Sequence, residues 1–553
     1  MDFRIFIKNE TINKFLVALV FIIYFIVGFA IYDDYGISTD ENTERVTATY
    51  ALLYSVNKIS ELVHADSVSQ KIKQKLDPEL YVNYKYNIYG NNFQMPLLLL
   101  EVAFFGINKS PNKEIFEFRH LITFLFFYLS VVIFYFLIKN IYENRTVAII
   151  TTIILIMTPR FFAESFYNPK DIVFFSACII GMFFYVKFLK EKSLKNGVLL
   201  GIFTAYAAGF RIFGIQFIIM AIFILLLYFI LQKRIKNNEV KSLIAAIIVF
   251  IILIIFFYPA SWHSPISFFK MLFAKVTTYP HHSVTLFMGE WVHSDNAPWF
   301  YIPLWMLITI PILYIILFLH GLCSASIKLV KFSELREFSF NYQVILSAFI
   351  MFFVPILGIM INKTSIFNGW RHVSFLYLPF LIIVAYSLNV ILNFAKRTGK
   401  SLIVISTITV YFIFISIWMV INHPYQFAFF NAIPRNIEAN YQKDYWELSM
   451  VDGMKYVLNI DSSPKIIIKR SNGTAKHSRN KLPDNLKKRI EIMPDNSLTP
   501  NKYDYFFYNG DHYGTKDYAV KNNLTEIHSI DVYNSIYTQK YKIMKIYKKS
   551  TSH

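Results

Sequence analysis

The chain has 553 residues, of which 55% are hydrophobic and 18% aromatic while only 16% are charged. That balance is too apolar for an ordinary soluble domain. The formal charge of +19 does not point to nucleic acid, because within the apolar part of the chain the basic residues gather in alternate connections between apolar runs, as they do in membrane proteins.

The first apolar run, 15–32, follows MDFRIFIKNETINK, and no small-residue cleavage site comes after it. It reads as a retained helix rather than a removed signal peptide. Further runs near the roughly 20 residues needed to cross a bilayer fall at 119–138, 147–163, 172–187, 197–210, 212–231, 242–258, 299–320, 343–361, 373–394 and 402–421. The connections KNIYENR (139–145), KFLKEKSLK (187–195), QKRIKNNEVK (232–241), KLVKFSELR (328–336) and AKRTGK (395–400) carry the basic residues. One parity fits them all, so we expect about eleven spans with the N-terminus cytoplasmic and the C-terminus outside. The expected location is the plasma (inner) membrane. The reversal at Gly209–Gly214 is the critical joint, because a continuous helix there would swap every later connection to the wrong side. The two cysteines, Cys178 and Cys323, imply neither a disulfide framework nor a thiolate metal site.

Three stretches stay outside the spans. Residues 33–118 contain TERVTATYALLYSVNKISELV and NFQMPLLLLEVAFFG, which read as two helices lying along the membrane surface. Residues 259–298 form a long connection rich in His, Trp and Pro. Residues 422–553 are polar, with the β-like runs KIIIK (465–469), RIEIM (489–493), YDYFFYN (503–509) and YKIMKIYKK (541–549). The architecture expected is therefore a polytopic α-helical domain over 1–421 and a small mixed α/β extracytoplasmic domain over 422–553.

Ionisable residues at membrane depth are costly and mark functional sites. Here they gather at one end of the spans. Asp40 and Glu41 follow the first span, and Arg119 and His120 precede the second. Arg160 and Glu164 follow the third, Asn168, Lys170 and Asp171 precede the fourth, and Arg211 sits in the reversal. His263, His281, His282, His293 and Asp295 lie in the long connection, and Asn368, Arg371 and His372 precede the tenth span. Carboxylates, histidines and arginines facing outward at bilayer level suit an anionic lipid head group. Structural roles compete: Thr39 or Asp40 fits as the cap of the next helix, the arginines as interfacial anchors, and YNPKD as a helix start. The histidines match no tight metal-ligand spacing.

These residues carry a resemblance. The segments TDE (39–41), NIYGNN (87–92), FRH (118–120), NPKD (168–171), GWRH with YLP (369–379), HPYQFAFFN (423–431) and DYWEL (444–448) resemble the GT-C class of membrane glycosyltransferases. Within it, they are most similar to the family-39-like group of protein O-mannosyltransferases and the lipid A aminoarabinose transferase. The resemblance implies transfer of a sugar from a polyprenyl-phosphate carrier to a lipid, glycan or protein acceptor at the outer face, with inversion. It implies that Asp40 is the catalytic carboxylate and Glu41 its neighbour. Arg119, His120, Arg211, Arg371 and His372 are then candidates for the donor phosphate, and Asn168, Lys170, Asp171, Glu164 and His263 for the acceptor or cavity wall. No cofactor is expected, a divalent metal being the variation known within the class; the partners expected are lipids and no nucleic acid. The chain departs from the aminoarabinose transferases in lacking their acid–Lys–Pro–Pro phosphate motif, where NIYGNNFQMP stands, and it lacks the β-trefoil insertion of the eukaryotic mannosyltransferases. Readings of a different class are a lipid-linked sugar transporter or flippase, and a non-catalytic assembly protein.

Overall fold

The computed structural model describes residues 10–65, 67, 69–70, 78–107, 111–233, 236–278, 283–470, 477–493, 503–510, 518–535 and 539–549. His281 and His282 lie outside the described residues.

In chain order, α1 (Glu10–Ile31), α2 (Glu41–Leu62) and α3 (Gln94–Phe105) come first, the latter two where surface helices are expected. The 30-residue α4 (Lys113–Tyr142) follows. Next, α5 (Arg145–Ile156) and α6 (Pro159–Tyr167) meet at a 65° bend, where Pro159 opens the second helix with the fixed φ suited to that position. The chain continues with α7 (Asp171–Lys190), α8 (Leu194–Ala208), α9 (Gln216–Gln232), α10 (Asn237–Phe257) and α11 (Pro265–Thr278). After a hairpin of β1 (Val284–Phe287) and β2 (Glu290–His293) come α12 (Tyr301–Thr309), α13 (Ile312–Val330), α14 (Phe340–Asn362), α15 (Tyr377–Arg397) and α16 (Ser401–Ile421).

Among the described residues nine helices are long and apolar enough to cross a membrane, or ten if the bent pair is one span. The eleventh expected span is α8, whose 15 residues cover only about 22 Å at 1.5 Å per residue. The span expected at 299–320 is displaced: Ile310 is extended ahead of Pro311, which separates α12 from the longer α13. Apolar side chains exposed on α1, α9, α10 and α16, such as Ile26, Ile230, Ile252 and Val410, form the surface that lipid covers.

The reversal after α8 is real. The Tyr258 hydroxyl, just past α10, donates to the Ala208 carbonyl at 2.9 Å, and Arg211 pairs with Asp171 at the start of α7. The ends of α8 and α10 therefore lie beside the start of α7. Close packing of α8 on α10 depends on Gly197 and Gly201, where an added Cβ would sit 2.1 Å from the Ser242 carbonyl oxygen and 2.5 Å from that of Ala246. This is the small-xxx-small approach used between membrane helices. At the opposite end, Lys190 pairs with Glu143 at 2.8 Å and the Gln232 side chain donates to the Arg336 carbonyl at 2.7 Å. Four of the basic connections thus share one end, as the charge parity requires.

Beyond the spans, α17 (Met450–Ile460) lies on a five-stranded sheet. Its strands are β3 (Ile466–Arg470), β4 (Ile490–Ile492), β5 (Tyr505–Tyr508), β6 (Leu524–Tyr533) and β7 (Lys540–Lys549), in spatial order β4-β3-β5-β7-β6. β3 is parallel to β4 and β5, and β7 is antiparallel to β5 and β6. Met450, Met454, Val457 and Leu458 form the buried stripe of α17 against Ile466, Ile468, Phe507 and Ile546, each worth roughly 1.5–3 kcal/mol relative to exposure. All four β-like runs are strands. β6 has no counterpart among them because two register shifts against β7 break its alternation. The sheet is fastened to the site end of the bundle: the Trp418 indole donates to the Tyr533 carbonyl at 3.0 Å, and Lys481 pairs with Glu117 at 2.9 Å.

Candidate active site

The start of α2 decides the role of Asp40. This residue occupies the helix cap position with helical backbone angles, and its side chain makes no capping bond. The Thr39 hydroxyl is buried with no hydrogen-bond partner, so it does not cap either. Glu41 takes over locally, its Oε1 accepting from the Ser38 backbone N–H at 2.6 Å. Relieved of capping, Asp40 lies on the wall of a cavity of about 220 Å³.

The other charged lining of that cavity is cationic. Lys170, Arg211, Lys275 and Arg371 face it, together with His372, Tyr86, Tyr89 and Tyr445. Each element delivers its residue by a local device. Asn168 Oδ1 accepts from the Lys170 and Asp171 N–H groups at 3.2 and 2.9 Å, which fixes the start of α7. Asp171 then pairs with Arg211 and lies 3.7 Å from Arg371. Arg371 also reaches Asp40 at 3.3 Å. Lys170 pairs with Glu44 at 2.9 Å and stands over the Tyr89 ring at 4.0 Å. Burial opposes the charge on Lys170, but Glu44, Tyr89 and Asp40 outweigh it and hold its pKa above the ordinary lysine value. Burial likewise pushes the Tyr445 phenol up to about 12, against the pull of Arg371.

The loop NIYGNN owes its path to contact with the reversal after α8. An added Cβ at Gly90 would fall 1.6 Å from the Gly209 carbonyl oxygen, and Asn92 donates to the Tyr206 carbonyl at 3.0 Å. Only glycine allows that approach, and it brings Tyr89 over Lys170.

Other expected site residues lie elsewhere. Arg119 is buried against α3, donating to Glu101 at 3.0 Å and to Gln94 at 2.7 Å. It does not line the cavity, and its partners are these two side chains. His120 and Glu41 face one another at 3.0 Å, both 1% exposed at the side chain, and neither lines the cavity. Nε2 of His120 meets the Glu41 carboxylate and Nδ1 the Tyr32 carbonyl, so the pair supports the turn between α1 and α2. Glu164 and Asn168 sit behind the cavity, where Glu164 accepts from Asn168 at 3.0 Å and from the Trp446 indole at 3.2 Å. His263 is exposed and away from the cavity wall. Among the described residues no three His, Cys, Asp or Glu side chains come together as a metal-binding group.

Lys275 and Tyr445 are among the cavity residues that escaped the sequence reading. Lys275 belongs to the long connection, and its signal is a lysine on the stripe formed with buried Phe268 and Leu272, at helical spacing. It makes no ion pair among the described residues. Tyr445 lies in DYWEL, which the sequence offers as likeness without a role.

The fold and site define a polytopic membrane protein with a cation-lined cavity at one end of its helices and one wall carboxylate facing those cations. Comparison with known proteins gives a partial match: residues 115–262 match the model of the dolichyl-phosphate-mannose-protein mannosyltransferase family. That stretch carries Glu164, Asn168, Lys170, Asp171 and Arg211. No curated protein sequence matches the chain. Among solved structures, the crystal structure of ArnT from Cupriavidus metallidurans bound to undecaprenyl phosphate is similar, with a TM-score of 0.48 and 10% identity over 98% of this chain and 99% of that one.

Proposed function

We propose that this chain is a membrane glycosyltransferase that moves a sugar from a polyprenyl-phosphate carrier to a hydroxyl of a lipid, glycan or protein acceptor at the outer face. The observation that carries the reading is Asp40, free of capping duty, on the wall of a cavity lined by Lys170, Arg211, Lys275 and Arg371. The family match over residues 115–262 supports the same class of reaction. The charge balance fits the donor. Among the described residues the four cations face the carboxylates of Asp40, Asp171 and Glu44, leaving one positive charge for a phosphodiester monoanion.

The chemistry follows from those positions. The donor phosphate replaces Asp40 as the partner of Arg371 and accepts from Lys275, with guanidinium and ammonium groups suited to it. Asp40 then orients the acceptor hydroxyl and takes its proton as the oxygen bonds to the anomeric carbon. The carbon–oxygen bond to phosphate breaks with its electron pair on the phosphate oxygen, where the same cations stabilise the added charge. A single displacement inverts the anomeric centre. Lys170 and Arg211, held by Glu44 and Asp171, keep the field in place.

The test is Asp40→Asn, assayed by mass spectrometry of surface glycans and lipids and by transfer from a polyprenyl-phosphate sugar. A loss of roughly 10²–10⁴-fold is expected, the usual contribution of a positioned base. Undiminished transfer by a folded Asp40→Asn protein removes Asp40 from the mechanism.

A further inference from the structure

Arg371 is held in an unusual way for a cavity arginine. Its side chain is 7% exposed, its two ionic contacts are long at 3.3 Å to Asp40 and 3.7 Å to Asp171, and its Nη1 has no hydrogen-bond partner. Three aromatic rings surround the guanidinium, Phe367 at 5.6 Å and, nearer, the consecutive Tyr445 at 4.7 Å and Trp446 at 4.9 Å from centroid to charge. We infer that the Tyr445–Trp446 segment is an aromatic clamp that positions Arg371 for the donor phosphate, an inference that rests on the transferase reading above.

The clamp is itself anchored. Trp446 is fully buried, and its indole N–H donates to Glu164 at 3.2 Å. Glu164 accepts from Asn168, which also fixes the backbone at Asp171. The turn that carries both rings is tied by Asp444, whose carboxylate accepts from the Leu448 and Ser449 N–H groups at 3.1 Å each and from the Ser449 hydroxyl. Ring faces attract a desolvated guanidinium without occupying its N–H groups. Arg371 therefore keeps its orientation while its N–H groups are engaged by carboxylates only through the long contacts to Asp40 and Asp171. A carboxylate in their place would hold the arginine as firmly but would compete with the phosphate. The rings come from the chain after the last span, next to α17, so the C-terminal portion completes the site.

The experiment is a double-mutant cycle on Trp446 and Arg371, read as affinity for decaprenyl phosphate by scintillation proximity on detergent-purified protein. Trp446→Ala is expected to weaken binding about 10-fold or more, from the cation–π contribution at a desolvated site, and Trp446→Phe to restore most of it. In an Arg371→Gln background, Trp446→Ala is expected to have no further effect, because residues in contact couple. The same weakening in both backgrounds, or no weakening at all, overturns the clamp. Absence of decaprenyl phosphate binding by the unaltered protein removes the donor reading and the clamp with it. If Trp446→Ala does not fold, Tyr445→Leu removes one face and enters the same cycle with the same criteria.

Discussion

Replacing Glu101 by Gln separates a structural arginine from a functional one. Glu101 Oε1 lies 2.6 Å from Arg45, and Oε2 lies 3.0 Å from Arg119, with side-chain exposures of 4%, 18% and 1% respectively. Removing the carboxylate charge leaves buried Arg119 with neutral hydrogen-bond partners, Gln94 and the new amide, and with Glu41 as the remaining nearby negative charge. Breaking a buried pair in this way costs about 3–5 kcal/mol, and the lower end applies because water reaches Arg45. Membrane proteins of this size unfold irreversibly, so the observable is a rate of inactivation. A loss of about 3 kcal/mol is a factor of about 100 if wholly lost in the unfolding transition state and about 10 if half lost. Glu101→Gln is therefore expected to lose folded protein at least about 10-fold faster at fixed temperature. Glu143→Gln, which breaks the solvent-exposed pair with Lys190, is expected to change nothing. Donor affinity of the surviving Glu101→Gln protein is expected to be close to normal, because neither Glu101 nor Arg119 lines the cavity. Normal stability with lost donor binding is the result that refutes this reasoning and returns Arg119 to the phosphate site.

Two further outcomes follow from the same geometry. Gly90→Ala is expected to lower transfer about 10-fold or more, since its Cβ would meet the Gly209 carbonyl oxygen at 1.6 Å and push Tyr89 off Lys170; normal transfer by Gly90→Ala contradicts the close approach. Lys170→Met gives a pH test. A lysine held above its ordinary value contributes its full stability below the unfolded pKa near 10.4 and loses it only as pH rises through the folded value. The ratio of inactivation rates between Lys170→Met and the unaltered protein is expected to be the same at about pH 7 and about pH 9.5. A ratio that collapses toward one at the higher pH shows that the Glu44 pair does not hold the charge.

The sequence determined which end of the bundle each ionisable residue occupies, and much less about which way it points. Charge parity and span length place Asp40, Arg119, Lys170, Arg211 and Arg371 at one level, and the contacts among Asp40, Asp171, Arg211 and Arg371 bear this out. Azimuth is another matter. A soluble helix advertises its buried face through a polar one, but α4 is apolar almost all round, so its periodicity carries little rotational information. That is why Arg119 and His120 read equally well as phosphate ligands, although they face Glu101 and Glu41. Lys275 was obscured for another reason: the His, Trp and Pro of its connection read as a loop, and only the stripe it shares with Phe268 and Leu272 marks it as inward-facing.

The same reasoning resolves the acidic pair. Consecutive residues entering a helix project about 100° apart, so Asp40 and Glu41 are not able to serve one cavity together. The turn after α1 chooses between them. His120 and the Ser38 N–H engage both oxygens of Glu41 in the protein interior, and Glu41 does not line the cavity. Among the described residues the Asp40 side chain is left with one hydrogen bond, from Arg371 at 3.3 Å, a partner that the donor phosphodiester can take over with its two non-bridging oxygens. In Asp40→Asn, with Glu41 intact, Glu41 is therefore not placed to take over. For that reason the single substitution at Asp40 is decisive despite an acidic neighbour one residue away.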